Sequence, residues 1–383
     1  MGRDASARRR HPWIFSGAVS EESGDAPVAR VVSHEGVTLG HGVYSPRSQI
    51  RVRVWTWGED EPDWPALIRE RMSAAKKSRR ALLTETDAVR YINSEGDFLS
   101  GIFLDKYGDT LVLQLLTEGT DRMRDIIIDA LRATFDEPNA FEKSAGRTEE
   151  GLPDRAESIY GAAPDGPTDI HCGESRFFVD IQKGHKSGFY LDQRANRRFL
   201  RAFYSARGVN RRALDCFCHS GAFGVTLRDF FPSVDFLDSS ESAMNICQKN
   251  WERQAPAGSA AKFIREDAFQ FLREIPERDY DLVILDPPSF AKRSREVDRA
   301  CRGYKDIQRL AFRAIAPGGN LAAFSCSHHI DRDLFQKVVF SAALDAGRDV
   351  QIVARFGHDS DHPVSLYHPE GEYLHGLFLR VAD

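Results

Sequence analysis

The sequence predicts an α/β protein built on a parallel sheet, preceded by a smaller β-rich segment and a central α/β segment. Three observations carry that reading. Apolar runs at 213–216, 234–237, 281–285 and 320–325 alternate with helix-like stretches at 241–254, 303–315 and 331–346. Such alternation implies crossover connections that place helices on both faces of a parallel sheet. The length of 383 residues exceeds what one ordinary core holds. Hydrophobic residues at 42% and charged residues at 28% make a globular composition, which argues against disorder.

Taken in order, residues 1–58 carry short strand-like runs, Val28 to Ser33 and Ile50 to Trp57, between glycine-containing turns, as in a small β-barrel. A helix follows. Asp63 is placed to cap it, Pro65 suits its first turn, and Trp64, Leu67, Ile68 and Met72 share one face. Within 88–135, Tyr107-Gly108-Asp109 is a turn before the apolar strand Thr110 to Leu116, and Arg122 to Phe135 has amphipathic spacing. Residues 136–168, rich in proline, glycine and charge, read as an irregular excursion. The α/β alternation begins near 171, and His375 to Val381 forms a final strand.

No window of about 18 uninterrupted apolar residues occurs. The polar, basic Met1 to Arg10 lacks the apolar core of a signal peptide, so a cytoplasmic protein is expected. The six cysteines, at 172, 216, 218, 247, 301 and 326, form no CxxC pair and have no histidine cluster at zinc-ligand spacing, so no metal is expected. Net charge is −5, yet basic residues cluster at Arg8–Arg10, Lys76–Arg80, Arg197-Arg198, Arg211-Arg212 and Lys292–Arg295. Local patches of this kind can hold phosphates on an acidic protein. The Lys76–Arg80 run is the expected RNA-contacting surface.

The least ordinary residues fall at the carboxyl ends of the predicted strands, where open α/β sheets bind ligands. The first strand ends at Asp215-Cys216-Phe217, followed by Ser220, Gly221 and Phe223 at the entry to a helix. Gly221 permits close backbone approach. The loop is not GxGxxG, so a dinucleotide is not indicated. Asp238, 23 residues after Asp215, ends the second strand beside Ser239. Asp267 and Ala268 follow the third. Acids at three consecutive strand ends suit a nucleoside with a cationic end, although Asp238 and Asp267 also suit helix capping.

The fourth strand runs into Asp286-Pro287-Pro288-Ser289-Phe290. Neither proline has a backbone N–H, so the exit is rigid. Asp286 is the candidate polar partner of a planar base edge, and Phe290 a candidate stacking ring. The fifth strand ends in Ser325-Cys326-Ser327-His328-His329, which puts Cys326 at the same sheet edge as Asp286. Carbon 5 of cytosine is too electron-poor to attack a methyl sulfonium. A thiolate adding at carbon 6 makes carbon 5 nucleophilic, and an acid bonded at N3 assists the addition.

Together these motifs resemble the family of 23S ribosomal RNA large-subunit methyltransferases that make 5-methylcytosine. The resemblance spans nearly the whole chain. It includes His11 to Ala18, Gly184 to Arg194, Asp215 to Gly224, Asp286 to Lys292, Arg302-Gly303-Tyr304-Lys305 and Ser325 to His329. It implies a PUA RNA-binding domain over 1–58, a central α/β domain over 63–170 and a Rossmann-like class I methyltransferase domain over 171–383. It also implies S-adenosyl-L-methionine as cofactor, a pocket lined by Phe189, Tyr190, Gln193 and Arg194, Asp238 at the ribose and Asp267 at the adenine end. Cys326 matches the family nucleophile, and Pro287, Pro288, Phe290 and Lys292 fall where substrate is gripped. The implied partner is 23S ribosomal RNA, naked or in an early large-subunit precursor, and a homodimer is implied.

Three departures accompany the match. The chain starts close to His11, so the leader strand of the first domain is expected to be short or missing. Ser187 and His219 stand where relatives often carry threonine and tyrosine. The Asp-Pro-Pro motif lacks a second cysteine, which fits this family and departs from the two-cysteine RNA methyltransferases. Two other readings stay open: methylation of a guanine or an exocyclic amine, which needs no thiol, and a non-catalytic RNA-binding assembly factor.

Overall fold

The computed structural model describes residues 4–184, 188–291 and 293–382. The chain forms two compact units: Met1–Ile170 with Asp180–Leu191 and Ser360–Gly371, and His171–Val179 with Asp192–Asp359 and Glu372–Asp383. Among the described residues no helix is long and apolar enough to cross a membrane.

The first unit opens with an antiparallel four-stranded sheet, in the order Trp13–Phe15, Ile50–Trp57, Thr38–Tyr44, Val28–Val32. The helix Trp64–Ser78 starts as its sequence dictates: the Asp63 carboxylate accepts the Ala66 N–H at 3.1 Å, with proline inside the first turn. Its buried Ile68 and Met72 pack with Ile127 and Leu131 of the helix Arg124–Thr134 over a five-stranded sheet. Val43 and Trp55 join the same core, which is why the N-terminal sheet and the central sheet form one unit.

The stretch 136–168 departs from the irregular excursion expected of it. Asn139–Ser144 and Arg155–Tyr160 are strands of the five-stranded sheet. Their polarity is absorbed by tertiary pairing. Glu142, fully buried, accepts from Arg124 at 2.7 Å, Arg155 at 3.2 Å and Ser144 at 2.8 Å. The helix expected over Arg122 to Phe135 is present as Arg124–Thr134, and a short helix, Glu118–Arg122, precedes it.

The Lys76–Arg80 run is not one basic surface either. Lys76 bonds Asp136 at 2.6 Å, and Arg79 is buried with both guanidinium nitrogens on Asp97 at 2.6 Å. Of the cations there, only Lys77 and Arg80 are exposed.

The second unit holds a seven-stranded sheet with strands, numbered along the chain, β1 (Arg212–Cys216), β2 (Ser233–Asp238), β3 (Ala260–Arg265), β4 (Tyr280–Leu285), β5 (Ile315–Ser325), β6 (Val350–Phe356) and β7 (His375–Val381). Their order is 3-2-1-4-5-7-6, all parallel except β7, which is antiparallel to both neighbours. The strand order reverses between β1 and β4, so a crevice opens at the carboxyl ends of those two strands. Helices α1 (Arg194–Ser205), α2 (Ala222–Thr226), α3 (Glu241–Glu252), α4 (Ala268–Glu274), α5 (Val297–Ala314) and α6 (Arg332–Asp345) alternate with the strands. The helix expected over 303–315 starts six residues earlier, at Val297, so Gly303 lies inside it.

Candidate active site

At the end of β1 the chain turns through Phe217, His219 and Gly221, whose φ angles are 59°, 48° and 73°. Left-handed backbone at two non-glycine residues costs roughly 1–3 kcal/mol each and needs a surrounding that enforces it. The enforcement is visible. Cys218 N donates to Leu237 O at 3.2 Å, His219 N to Asp238 Oδ2 at 3.0 Å, and Gly221 N to Cys218 O at 2.7 Å. At Gly221 a Cβ would lie 2.6 Å from the Cys247 sulfur, so glycine is required for space as well as for φ.

The three acids step outward along the sheet. Asp215 is level with Phe236, two residues short of Asp238, and Asp238 is level with Arg265, two short of Asp267. Their surroundings differ. Asp215 is buried; its Oδ2 accepts from Gly224 N at 2.9 Å, while its Oδ1 has no hydrogen-bond partner among the described residues. Burial, opposed by the Gly224 N–H and aided by the Asp238 charge, pushes this carboxyl up to about 7.

Asp238 ties two backbones together, accepting from His219 N and, at 2.8 Å, from Ser240 N. The cap of α3 is Ser240, whose hydroxyl accepts from Ala243 N. Asp267 is exposed and caps α4, one oxygen accepting from Phe269 N and Gln270 N at 3.0 Å. Ser239 is exposed and Ala268 buried. Ser220 is buried, its carbonyl held by Asn250. Phe223 lies against Phe324 with centroids 5.5 Å apart, and Phe217 packs on the main core of the sheet.

The remaining pocket residues separate. Phe189 and Tyr190 belong to the first unit, where Tyr107 donates to the Phe189 carbonyl. Gln193 donates to Asp286 Oδ2 at 3.0 Å and is itself oriented by Asn196, whose amide donates to Gln193 Oε1 at 2.6 Å and to Gly357 O at 2.9 Å. Arg194 is engaged in a buried ion pair with Asp359 at 2.6 Å. Sequence reasoning missed Asn196 and Asp359. Asn196 sits one helical step from Gln193, which is the only signal it offers.

Asp286 and Cys326 each follow directly on the end of one of two neighbouring parallel strands, β4 and β5. Asp286 and Cys326 are half-buried, Pro287 buried and Pro288 exposed. The Cys326 thiol lies 3.5 Å from the Pro287 carbonyl, its acceptor. Phe290 packs on the Tyr304 ring, centroids 4.5 Å apart and tilted 36°. Lys292 lies outside the described residues, as do His185, Lys186 and Ser187 of the quoted motif. His328 and His329 are exposed, and the His328 ring is 5.5 Å from Tyr373.

A buried carboxylate oxygen without a donor among the described residues, beside a loop held in a left-handed turn, fits a ligand that brings its own donor or cation. A thiol and a half-buried carboxylate at adjacent strand ends fit addition to a polarised ring. The donor set for a metal is different. Among the described residues only Asp4, half-buried, clusters with His34 and Glu35, both exposed, and the Arg8 guanidinium already pairs with both acids.

The sequence pattern of the PUA-like domain family matches residues 1–57, and that of S-adenosylmethionine-dependent methyltransferases matches residues 117–362. Ribosomal RNA large subunit methyltransferase I of Aeromonas hydrophila is 42% identical over 392 aligned positions, covering 99% of this chain and 98% of the relative. The protein of the same name from Escherichia coli O9:H4 is 40% identical over 390, with the same coverage. Among solved structures, a SAM-dependent methyltransferase from Streptococcus mutans superposes with a TM-score of 0.83 at 19% identity, covering 99% of this chain and 98% of that one. A methyltransferase complexed with SAH gives 0.84, also at 19% identity and the same coverage. Likeness at that identity concerns the fold.

Proposed function

The chain belongs to the ribosomal RNA large subunit methyltransferase I family of S-adenosylmethionine-dependent methyltransferases, and on that premise we propose that it methylates carbon 5 of a cytosine in large-subunit ribosomal RNA, with Cys326 as covalent nucleophile. The observation that carries this reading is the placement of the Cys326 thiol 3.5 Å from the Pro287 carbonyl, one residue from Asp286.

S-adenosylmethionine supplies an electrophilic methyl on a sulfonium. Asp215, Asp238 and the loop through Gly221 hold it, with Gln193, Asp267 and Ala268 at the pocket walls. Asp215 Oδ1, which has no donor among the described residues, would accept from its cationic end. Asp286, oriented by Gln193, bonds the N3 and amino edge of the cytosine, which draws electron density from carbon 6. The Cys326 thiolate then forms a bond to carbon 6, the displaced π electrons make carbon 5 nucleophilic, and carbon 5 bonds the methyl as the methyl–sulfur bond breaks and its electron pair leaves with the sulfur as a neutral thioether. A base removes the carbon 5 proton, those electrons restore the 5,6 double bond, and the Cys326–carbon 6 bond breaks.

Reaching carbon 6 takes an unstacked base, so the substrate is single-stranded or flipped. Naked or early precursor RNA provides that, and the PUA-like region supplies additional RNA contact. A homodimer is part of the proposal, checked by light scattering.

The reaction is tested with labelled S-adenosylmethionine and protein-free large-subunit RNA, comparing the native protein with Cys326→Ala. Label in 5-methylcytidine, reduced more than about 1000-fold in the variant, is expected when the covalent nucleophile is removed. Label in another nucleoside, or activity surviving in the variant, removes the cysteine mechanism.

A further inference from the structure

We propose that Tyr304 is a positioning residue for this reaction: its hydroxyl pins the loop that carries Cys326 to the loop that carries Asp286. The inference rests on the covalent reading of Cys326 given above.

The need for such a pin follows from the sheet. The β4–β5 ladder ends at the pair Leu285–Ala323. Asp286 is one residue past that pair and Cys326 three residues past it, so no strand pairing fixes their separation. Yet the chemistry requires both at one planar base. A misplacement of about 1 Å costs on the order of 100-fold in rate.

A line of hydroxyls spans the gap. Tyr304 Oη is 3.1 Å from Ser327 Oγ, Ser327 Oγ is 3.0 Å from Ser289 Oγ, and Ser289 Oγ donates to the Ala291 carbonyl at 3.1 Å. Each hydroxyl has one proton. Ser289 spends its own on Ala291, so it accepts from Ser327. Ser327 therefore accepts from Tyr304. The line runs one way, from α5 through the residue after Cys326 to the loop of Asp286. Ser327 and Tyr304 are buried, so water does not compete for these bonds.

The geometry argues for holding and against proton transfer. The Tyr304 proton is committed to Ser327. Burial, partly offset by the neighbouring Ser325 and Ser327 hydroxyls, pushes its phenol up to about 12, too high for a base near neutral pH. The ring itself is fixed independently, against Phe290 at 4.5 Å and Phe335 at 6.0 Å. Removing only the hydroxyl leaves that packing in place.

The test uses large-subunit RNA transcribed with 5-fluorocytidine. Fluorine replaces the proton that must leave carbon 5, so the Cys326 adduct accumulates and is counted on a denaturing gel. Native protein, Tyr304→Phe, Ser289→Ala and Ser289→Thr are compared with S-adenosylmethionine present. Tyr304→Phe and Ser289→Ala are expected to slow adduct formation by about 10-fold or more. Ser289→Thr, which keeps a hydroxyl, is expected to stay within about threefold of native. Cofactor affinity by calorimetry is expected to be unchanged, and the pH profile of adduct formation to keep its shape, which loss of an acid or base would alter. Adduct rates within twofold of native in both Tyr304→Phe and Ser289→Ala overturn the proposal alone. Absence of any adduct in the native protein overturns the cysteine chemistry, and this proposal with it.

Discussion

At Asp215 the buried carboxylate has one oxygen on the Gly224 N–H and, among the described residues, no donor on the other. Its pKa rises from 3.8 to about 7 on folding. Between those values the folded chain binds more protons than the unfolded one, so stability declines as pH climbs through that window. Below about 4 the group costs nothing, and above 7 the full penalty applies. In Asp215→Asn the amide oxygen still accepts from Gly224, and the titration is gone. Without cofactor, the variant's stability is expected to be flatter between pH 4 and 7, by up to a few kcal/mol. Urea unfolding at a series of pH values reads this, and parallel curves for the two proteins refute it. S-adenosylmethionine is expected to raise the melting temperature of the native protein and not that of the variant.

The helix Trp64–Ser78 ends in a residue that local sequence misdescribes. Five polar residues, Lys76-Lys77-Ser78-Arg79-Arg80, read as one solvated basic patch. Helical geometry spreads them around the axis, and Arg79 turns inward to Asp97, the Arg90 carbonyl and the Asp361 carbonyl. Arg79→Ala leaves Asp97 buried and unpaired, an expected loss of roughly 3–5 kcal/mol, while Lys77→Ala stays within about 0.5 kcal/mol. Chemical denaturation of both variants decides the point, and equal losses count against it. The same physics explains what the sequence showed and hid elsewhere. Strands β1, β2, β4 and β5 are apolar because helices cover both faces, so their periodicity announced them. The strands Asn139–Ser144 and Arg155–Tyr160 carry buried charge neutralised by distant arginines, and distant partners leave no local pattern. At the site, strand-end acids and the Cys326 motif were legible from spacing. The hydroxyl line through Tyr304 was not, since it joins residues from three segments and depends on loop geometry.

Over the whole molecule, net charge of −5 demands that RNA affinity come from a few exposed cations rather than from the overall field. The fold sorts the basic runs. Arg212 is held by Asp235 at 2.6 Å, with its guanidinium 4.7 Å from the Tyr280 ring centre, and Arg197 is buried. Exposed cations of these runs are Arg8, Arg9, Arg10, Lys77 and Arg80 in the first unit, and Arg198, Arg211, Arg293 and Arg295 in the second, the last two following the Asp-Pro-Pro loop. Each phosphate contact to single-stranded RNA contributes about 0.7 to the slope of log affinity against log salt. Replacing Arg293 and Arg295 by alanine is therefore expected to flatten that slope by about 1.4 and weaken binding at low salt, with melting temperature little changed. Arg212→Ala, which strands the buried Asp235, is expected to lose stability and keep the native slope. Filter binding of large-subunit RNA across a salt series reads both at once. An unchanged slope in the Arg293/Arg295 variant would place the RNA on another surface, and the same assay on Lys77→Ala/Arg80→Ala then decides whether that surface is on the first unit.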